Sequence, residues 1–152
     1  MTLAEKRQAL FDELSPFEDP HERFQYIIDR ASAAPGLPEE FHEPVFRIEG
    51  CVANLWVVPS FKDGLCQFDS DSDAVITKGI AMLVCEYYSG ATPAEVLDNG
   101  RDFLAEAGIT QHLTPNRRNG LSNLVSKIRA FAELHATGAA AAATGGTAPP
   151  AP

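Results

Sequence analysis

Apolar residues recur along this chain in two rhythms, and the switches between them mark its elements. Leu10, Phe11 and Leu14 give one face to a short first helix, and Thr2 with Glu5 forms the T-x-x-E pattern of a capping box ahead of it. Asp19-Pro20-His21-Glu22 is a second start signal, with proline at the first helical position. Phe24, Ile27, Ile28 and Ala31 follow at helical spacing, and Ala33-Ala34-Pro35-Gly36-Leu37-Pro38 ends that helix. The rhythm then shortens. Val45 to Ile48 predicts a short strand, and Leu55 to Val58 a stronger one, rich in β-branched and aromatic residues. Lys62-Asp63-Gly64 reads as a turn, from which Leu65 to Phe68 pairs back as a hairpin.

The run Asp69-Ser70-Asp71-Ser72-Asp73 is expected to end in an N-cap, with its acids near the positive end of the next helix. Val75, Ile76, Gly79, Ile80, Leu83, Val84 and Tyr87 form a wide stripe, so this central helix should be well buried, and Gly90 should stop it. Thr92-Pro93-Ala94-Glu95 is another capping box, Phe103 and Leu104 sit on a further short helix ended by Gly108, and Leu121, Leu124, Val125, Ile128, Phe131 and Ala132 mark the last helix. Helices, a small antiparallel sheet, then helices again predict an α+β fold. Residues 1–136 read as one domain. Thr137 to Pro152 contains only Ala, Gly, Thr and Pro, cannot bury enough to offset ordering, and is expected to be a disordered tail.

Charge narrows the partners. A net charge of -9 argues against a nucleic-acid binder and against docking on anionic membranes. The chain shows no signal peptide at its start and no run approaching a membrane span. Cys51, Cys66 and Cys85 are odd in number and widely spaced, which is a poor disulfide framework. Free thiols of this kind point to a reducing cytoplasm.

Cys51 has the most suggestive setting. It follows Gly50 and precedes the Leu55 strand, so it falls at a loop tip where another surface can approach. The plain alternative is a small buried hydrophobe. Core packing is the expected role of Cys66, in the return strand, and of Cys85, in the central helix. A metal or Fe–S site built from the three cysteines with Asp69 to Asp73 and His112 matches no standard spacing. A hydrolytic pair of Cys51 with His21, His42, His112 or His135 has no local signature. Arg117 and Arg118 open the last helix against its dipole, a cost that an anion or acid would offset; Asp73, Glu49 or a partner's carboxylate are the options.

Three blocks together resemble the SufE/CsdE family of sulfur-acceptor proteins: Ile48-Glu49-Gly50-Cys51 with Trp56, Asp71-Ser72-Asp73-Ala74 with Lys78-Gly79, and Gln111-His112-Leu113-Thr114-Pro115 with Arg117 and Gly120-Leu121. Phe24-Gln25-Tyr26-Ile27-Ile28 adds to the likeness, which spans about residues 1–135. The resemblance implies a curved antiparallel sheet packed by helices, related to IscU-type scaffolds. It implies that Cys51 takes sulfur as a persulfide from a PLP-dependent cysteine desulfurase, stimulating it, and passes that sulfur to an Fe–S cluster assembly scaffold. Gly50, Asp73 and Arg117 are then supporting or partner-binding residues, Arg117 anchoring the loop or the docking face and Asp73 pairing with it or contacting the partner. The PLP belongs to the partner, and no bound cofactor or metal is expected on this chain. The chain departs from the family at Val52-Ala53-Asn54, where polar residues usually follow the cysteine, and at Asn116, which replaces a serine but remains a competent cap. The competing readings are a module that activates a desulfurase by contact alone and an Fe–S cluster scaffold.

Overall fold

The computed structural model describes residues 2–34, 36–50, 53–98 and 103–143. Helix α1 (Leu3–Leu14) and helix α2 (Pro20–Ser32) come first, then two single 3-10 turns, Glu39–Phe41 and Pro44–Phe46. Strands β1 (Leu55–Lys62) and β2 (Leu65–Ser72) follow, then α3 (Val75–Tyr88), α4 (Pro93–Asp98), α5 (Phe103–Glu106), a 3-10 turn at Thr110–His112 and α6 (Pro115–Ala143). The fold is α+β, with a curved two-stranded antiparallel sheet among the helices.

The helix starts form where the local chemistry supplies acceptors. Thr2 Oγ1 accepts from the Glu5 amide at 3.1 Å while the Glu5 carboxylate accepts from the Thr2 amide at 3.1 Å. The Asp19 carboxylate accepts from the His21 amide at 3.0 Å, ahead of Pro20. Thr92 and Glu95 repeat the reciprocal box at α4.

The hairpin turns on Asp63 and Gly64, both at positive φ (55° and 80°), the geometry that matches the right-handed twist of paired strands. From Lys62↔Leu65 the register runs out to Leu55↔Ser72. Three expectations are corrected here. The hairpin is longer than Val58 and Phe68, because a register set at the turn carries the acid–serine run into the ladder. Asp69 to Ser72 is therefore strand, and Ser70, Asp71 and Ser72 are buried. Asp73 caps nothing: the residue before α3 is Ala74, with no side-chain cap, and only Ser72 Oγ accepts from the Ala74 amide, at 3.2 Å. Finally, the strand expected at Val45–Ile48 is a 3-10 turn begun by Pro44 and a single bridge, Arg47↔Trp56. Proline fixes φ and gives up a donor, which suits a turn better than a ladder.

The core lies between the sheet and the helices. Leu55, Val57, Cys66 and Phe68 face inward from the strands, Ile80, Val84 and Tyr88 from α3, and Leu124, Ile128 and Phe131 from α6. Phe68 meets Phe131 edge to face at 5.6 Å. At the α2–α3 crossing a Cβ on Gly79 would stand 3.1 Å from Ile27 Cγ2 and 3.3 Å from the Ile27 carbonyl oxygen, so the glycine lets the two backbones close up.

Helix α6 starts with Thr114 Oγ1 accepting from the Arg117 amide at 3.3 Å, so the cap is Thr114, with Pro115 at the first helical position, rather than Asn116. Its backbone stays helical through 137–143, past the point where composition changes; alanine is the best helix former. Residues 144–152 lie outside the described residues, as do Cys51 and Val52. No described helix is long and apolar enough to cross a membrane.

Candidate functional site

The loop that carries Cys51 leaves the core at Ile48 and returns at Leu55. Its neck is shut by the Ile48 amide donating to the Leu55 carbonyl at 2.7 Å, beside the Arg47↔Trp56 bridge. Ile48 and Leu55 are both fully buried, so the neck is part of the core.

The two stems of the loop are held differently. On the incoming side, Asn119 Nδ2 donates to the Gly50 carbonyl at 2.9 Å and Asn123 Nδ2 to the Glu49 carbonyl at 2.7 Å. Asn119 and Asn123 are one turn apart on α6, so their amides reach successive peptides. Gly50 has φ 77°, and a Cβ there would lie 2.5 Å from Asn123 Nδ2 and 2.8 Å from Asn119 Nδ2. Only glycine meets both the backbone and the space condition.

On the outgoing side, Asn54 gathers the bonds. Its amide donates to Asp73 Oδ1 at 3.1 Å and its Nδ2 to Asp73 Oδ2 at 2.8 Å. Its Oδ1 accepts from Arg47 Nε at 3.0 Å, and its carbonyl accepts from Ser72 Oγ at 2.6 Å and from the Asp73 amide at 3.2 Å. Three of these bonds involve an ionised partner, the stronger class.

Behind the outgoing stem, Asp71 is buried and well satisfied. Its Oδ2 accepts from the Leu37 amide at 3.1 Å and meets His42 Nε2 at 2.9 Å, while Lys78 Nζ lies 3.9 Å from Oδ1. The His42 ring stacks on Trp56, centroids 4.2 Å apart. This cluster braces the hairpin end from which the loop springs, and it accounts for His42 without a catalytic role.

The predicted site residues fall as follows. Gly50 sits at the loop's incoming stem and Asp73 at its outgoing one. Asp73 is engaged with Asn54, and neither Arg117 nor Arg118 has an ion pair among the described residues. Anchoring of the loop is the work of Asn119 and Asn123, with Asn54 opposite. Sequence reading passed these asparagines over; the only trace is a pair four apart on the helix that follows Arg117. Cys51 itself lies outside the described residues.

The other two thiols are set by burial. Cys66 is wholly enclosed and its thiol is pushed up to about 11 by desolvation. Cys85 is pushed up to about 12 by desolvation. Neither forms appreciable thiolate near neutral pH. Among the described residues no group of three or more His, Cys, Asp or Glu is placed to hold a metal ion.

Comparison with known proteins agrees with this architecture. The SufE family, described as an Fe-S metabolism associated domain, matches residues 8–132. An uncharacterized SufE-like protein of Rhizobium etli is 29% identical over 132 residues, covering 84% of this chain and 89% of that protein. The solution structure of a hypothetical protein from Thermus thermophilus superposes with a TM-score of 0.71 at 21% identity, covering 87% of this chain and 96% of that one.

Proposed function

Because this chain belongs to the SufE family, and so to Fe–S metabolism, we propose that its Cys51 thiol accepts sulfur from a PLP-dependent cysteine desulfurase and delivers it to an Fe–S assembly scaffold. The observation that carries the reading is the fate of the other thiols: Cys66 and Cys85 are packed into the core and held protonated, which leaves the cysteine after Gly50.

The transfer is an exchange at sulfur. The Cys51 thiolate attacks the outer sulfur of the desulfurase persulfide, the S–S bond to the desulfurase cysteine breaks, and that cysteine leaves as thiolate. Cys51 is left as a persulfide anion, with no net oxidation or reduction. Onward delivery repeats the step on a thiol of the scaffold. The PLP stays with the desulfurase. The fixed stems on either side of the loop support presentation of a thiol to a second protein, because they hold the backbone while leaving residues 51–53 between them.

Incubation with a cysteine desulfurase and free cysteine, followed by peptide mapping under non-reducing conditions, tests this. The expected result is one extra sulfur on the Cys51 peptide, released by a reductant. A Cys51→Ser chain that still stimulates desulfurase turnover as the parent does would instead make the chain an activator by contact alone.

A further inference from the structure

Helices α1, α2 and α3 meet around a cavity of about 200 Å³. Ala9, Leu10, Leu83 and Tyr87 give it an apolar and aromatic lining, and Lys6, Glu13, Arg30 and Glu86 a charged one. It stands apart from the Cys51 loop. Glu86 comes near the end of α3, roughly 16 Å along the helix axis from Val75, the end that follows Asp73. At roughly 30 Å³ of liquid per water molecule, the space equals that of six or seven waters, the size of a small organic molecule.

The charged groups are not equivalent. Lys6 Nζ is spent on the carbonyls of Glu86, Tyr87 and Ser89. Arg30 is spent only in part. Its Nη2 donates to Glu86 Oε1 at 2.7 Å and its Nε lies 3.5 Å from Glu13 Oε1, and its other N–H groups have no partner among the described residues. Glu13 also takes the Tyr26 hydroxyl, so its carboxylate is already engaged twice. Glu86 has 63% of its side chain exposed, and its second oxygen is unpaired among the described residues. The cavity therefore offers guanidinium N–H donors and a carboxylate oxygen side by side, next to an apolar surface.

We propose that this cavity binds a free α-amino acid with an apolar side chain. Such a molecule carries its ammonium and its carboxylate on one carbon, a spacing that matches adjacent donor and acceptor groups on a bonded Arg30–Glu86 pair. The ligand carboxylate accepts from the unspent Arg30 N–H groups, and the ligand ammonium donates to the Glu86 carboxylate. Four alternating charges close into a ring, and the existing ion pair stays intact. The side chain of the ligand lies against Leu10 and Leu83. That apolar contact supplies most of the affinity, because ion pairs at an exposed rim are screened and contribute little, whereas each buried methylene contributes about fourfold. The charges select: a molecule with one charge leaves either Arg30 or Glu86 without its partner.

The test is a heteronuclear NMR titration of the full chain with L-leucine. The amides of Leu83, Glu86 and Tyr87 should shift, with a dissociation constant on the order of 1 mM. Leucinamide lacks the carboxylate, N-acetylleucine lacks the ammonium, and ε-aminocaproate carries its charges at opposite ends; each should bind about fivefold more weakly. Glycine should bind at least about 30-fold more weakly, having no side chain to bury. Glu86→Gln should weaken leucine about fivefold and leave N-acetylleucine unchanged, and Arg30→Gln should weaken leucine about fivefold and leave leucinamide unchanged. Glu86→Gln, at a mostly exposed position, carries the test if Arg30→Gln loosens the α2–α3 brace. Amides that stay still in leucine at about ten times that concentration overturn the proposal. So does glycine binding as tightly as leucine, or Glu86→Gln weakening leucine and N-acetylleucine alike.

Discussion

The α1–α2–α3 side of the molecule and the Cys51 loop are held by different chemistry. On the helical side the braces are ionic and converge. Arg30 bonds to Glu86 at 2.7 Å and lies 3.5 Å from Glu13, which also takes the Tyr26 hydroxyl and pushes that phenol's pKa up. Lys6 Nζ donates to the carbonyls of Glu86 at 3.2 Å, Tyr87 at 3.3 Å and Ser89, closing the end of α3. At the loop, the incoming stem depends on two neutral amides. The difference is one of chemistry: the helices are tied by ion pairs and by a lysine on three carbonyls, the incoming stem of the loop by two neutral side-chain amides.

That contrast can be broken from the helical side. Gly79→Val puts a branched side chain where even a Cβ is 3.1 Å from Ile27, and should cost about 3 kcal/mol by forcing α2 and α3 apart. Chemical denaturation would read it, with Cys51 sulfur uptake by the folded fraction unchanged. Lys6→Ala leaves three carbonyls at the α3 terminus without their cation, and should cost about 2 kcal/mol. If either variant altered the KM for sulfur uptake while folded, the separation of brace from loop would fail.

The smallest effect is on pH. His135 stacks on Phe61, centroids 4.4 Å apart, and meets Phe131 in a tilted contact at 4.3 Å, and its Nε2 is buried without a partner among the described residues. Burial lowers its pKa. The unfolded chain therefore binds a proton more readily than the folded one, and stability falls as pH drops below the ordinary histidine value of about 6.5. Melting temperatures followed from about pH 7 to about pH 5 should decline less steeply in His135→Phe than in the parent.

Much of this architecture can be read from the residues alone. The Thr2–Glu5 and Thr92–Glu95 boxes, the Asp63–Gly64 turn and the α3 stripe each carry their own local cause. What cannot be read locally depends on partners distant in sequence. Asp69 to Ser72 looks like a solvated cap, yet strand pairing from the turn overrides its polarity, and Leu37, His42 and Lys78 meet Asp71 there. The loop's anchors are more hidden still. Asn119 and Asn123 bond to backbone carbonyls, which every residue possesses, so nothing in the composition of the loop announces them. Arg117 and Arg118 drew attention by their charge, while the neighbouring asparagines make the contacts.

The central claim is most directly tested by intact mass after exposure to a cysteine desulfurase and free cysteine. The parent, Cys66→Ser and Cys85→Ser chains should each gain a single sulfur atom, and Cys51→Ser should gain none. Sulfur on the Cys51→Ser chain, or its loss on replacing either buried cysteine in a folded protein, would contradict the account.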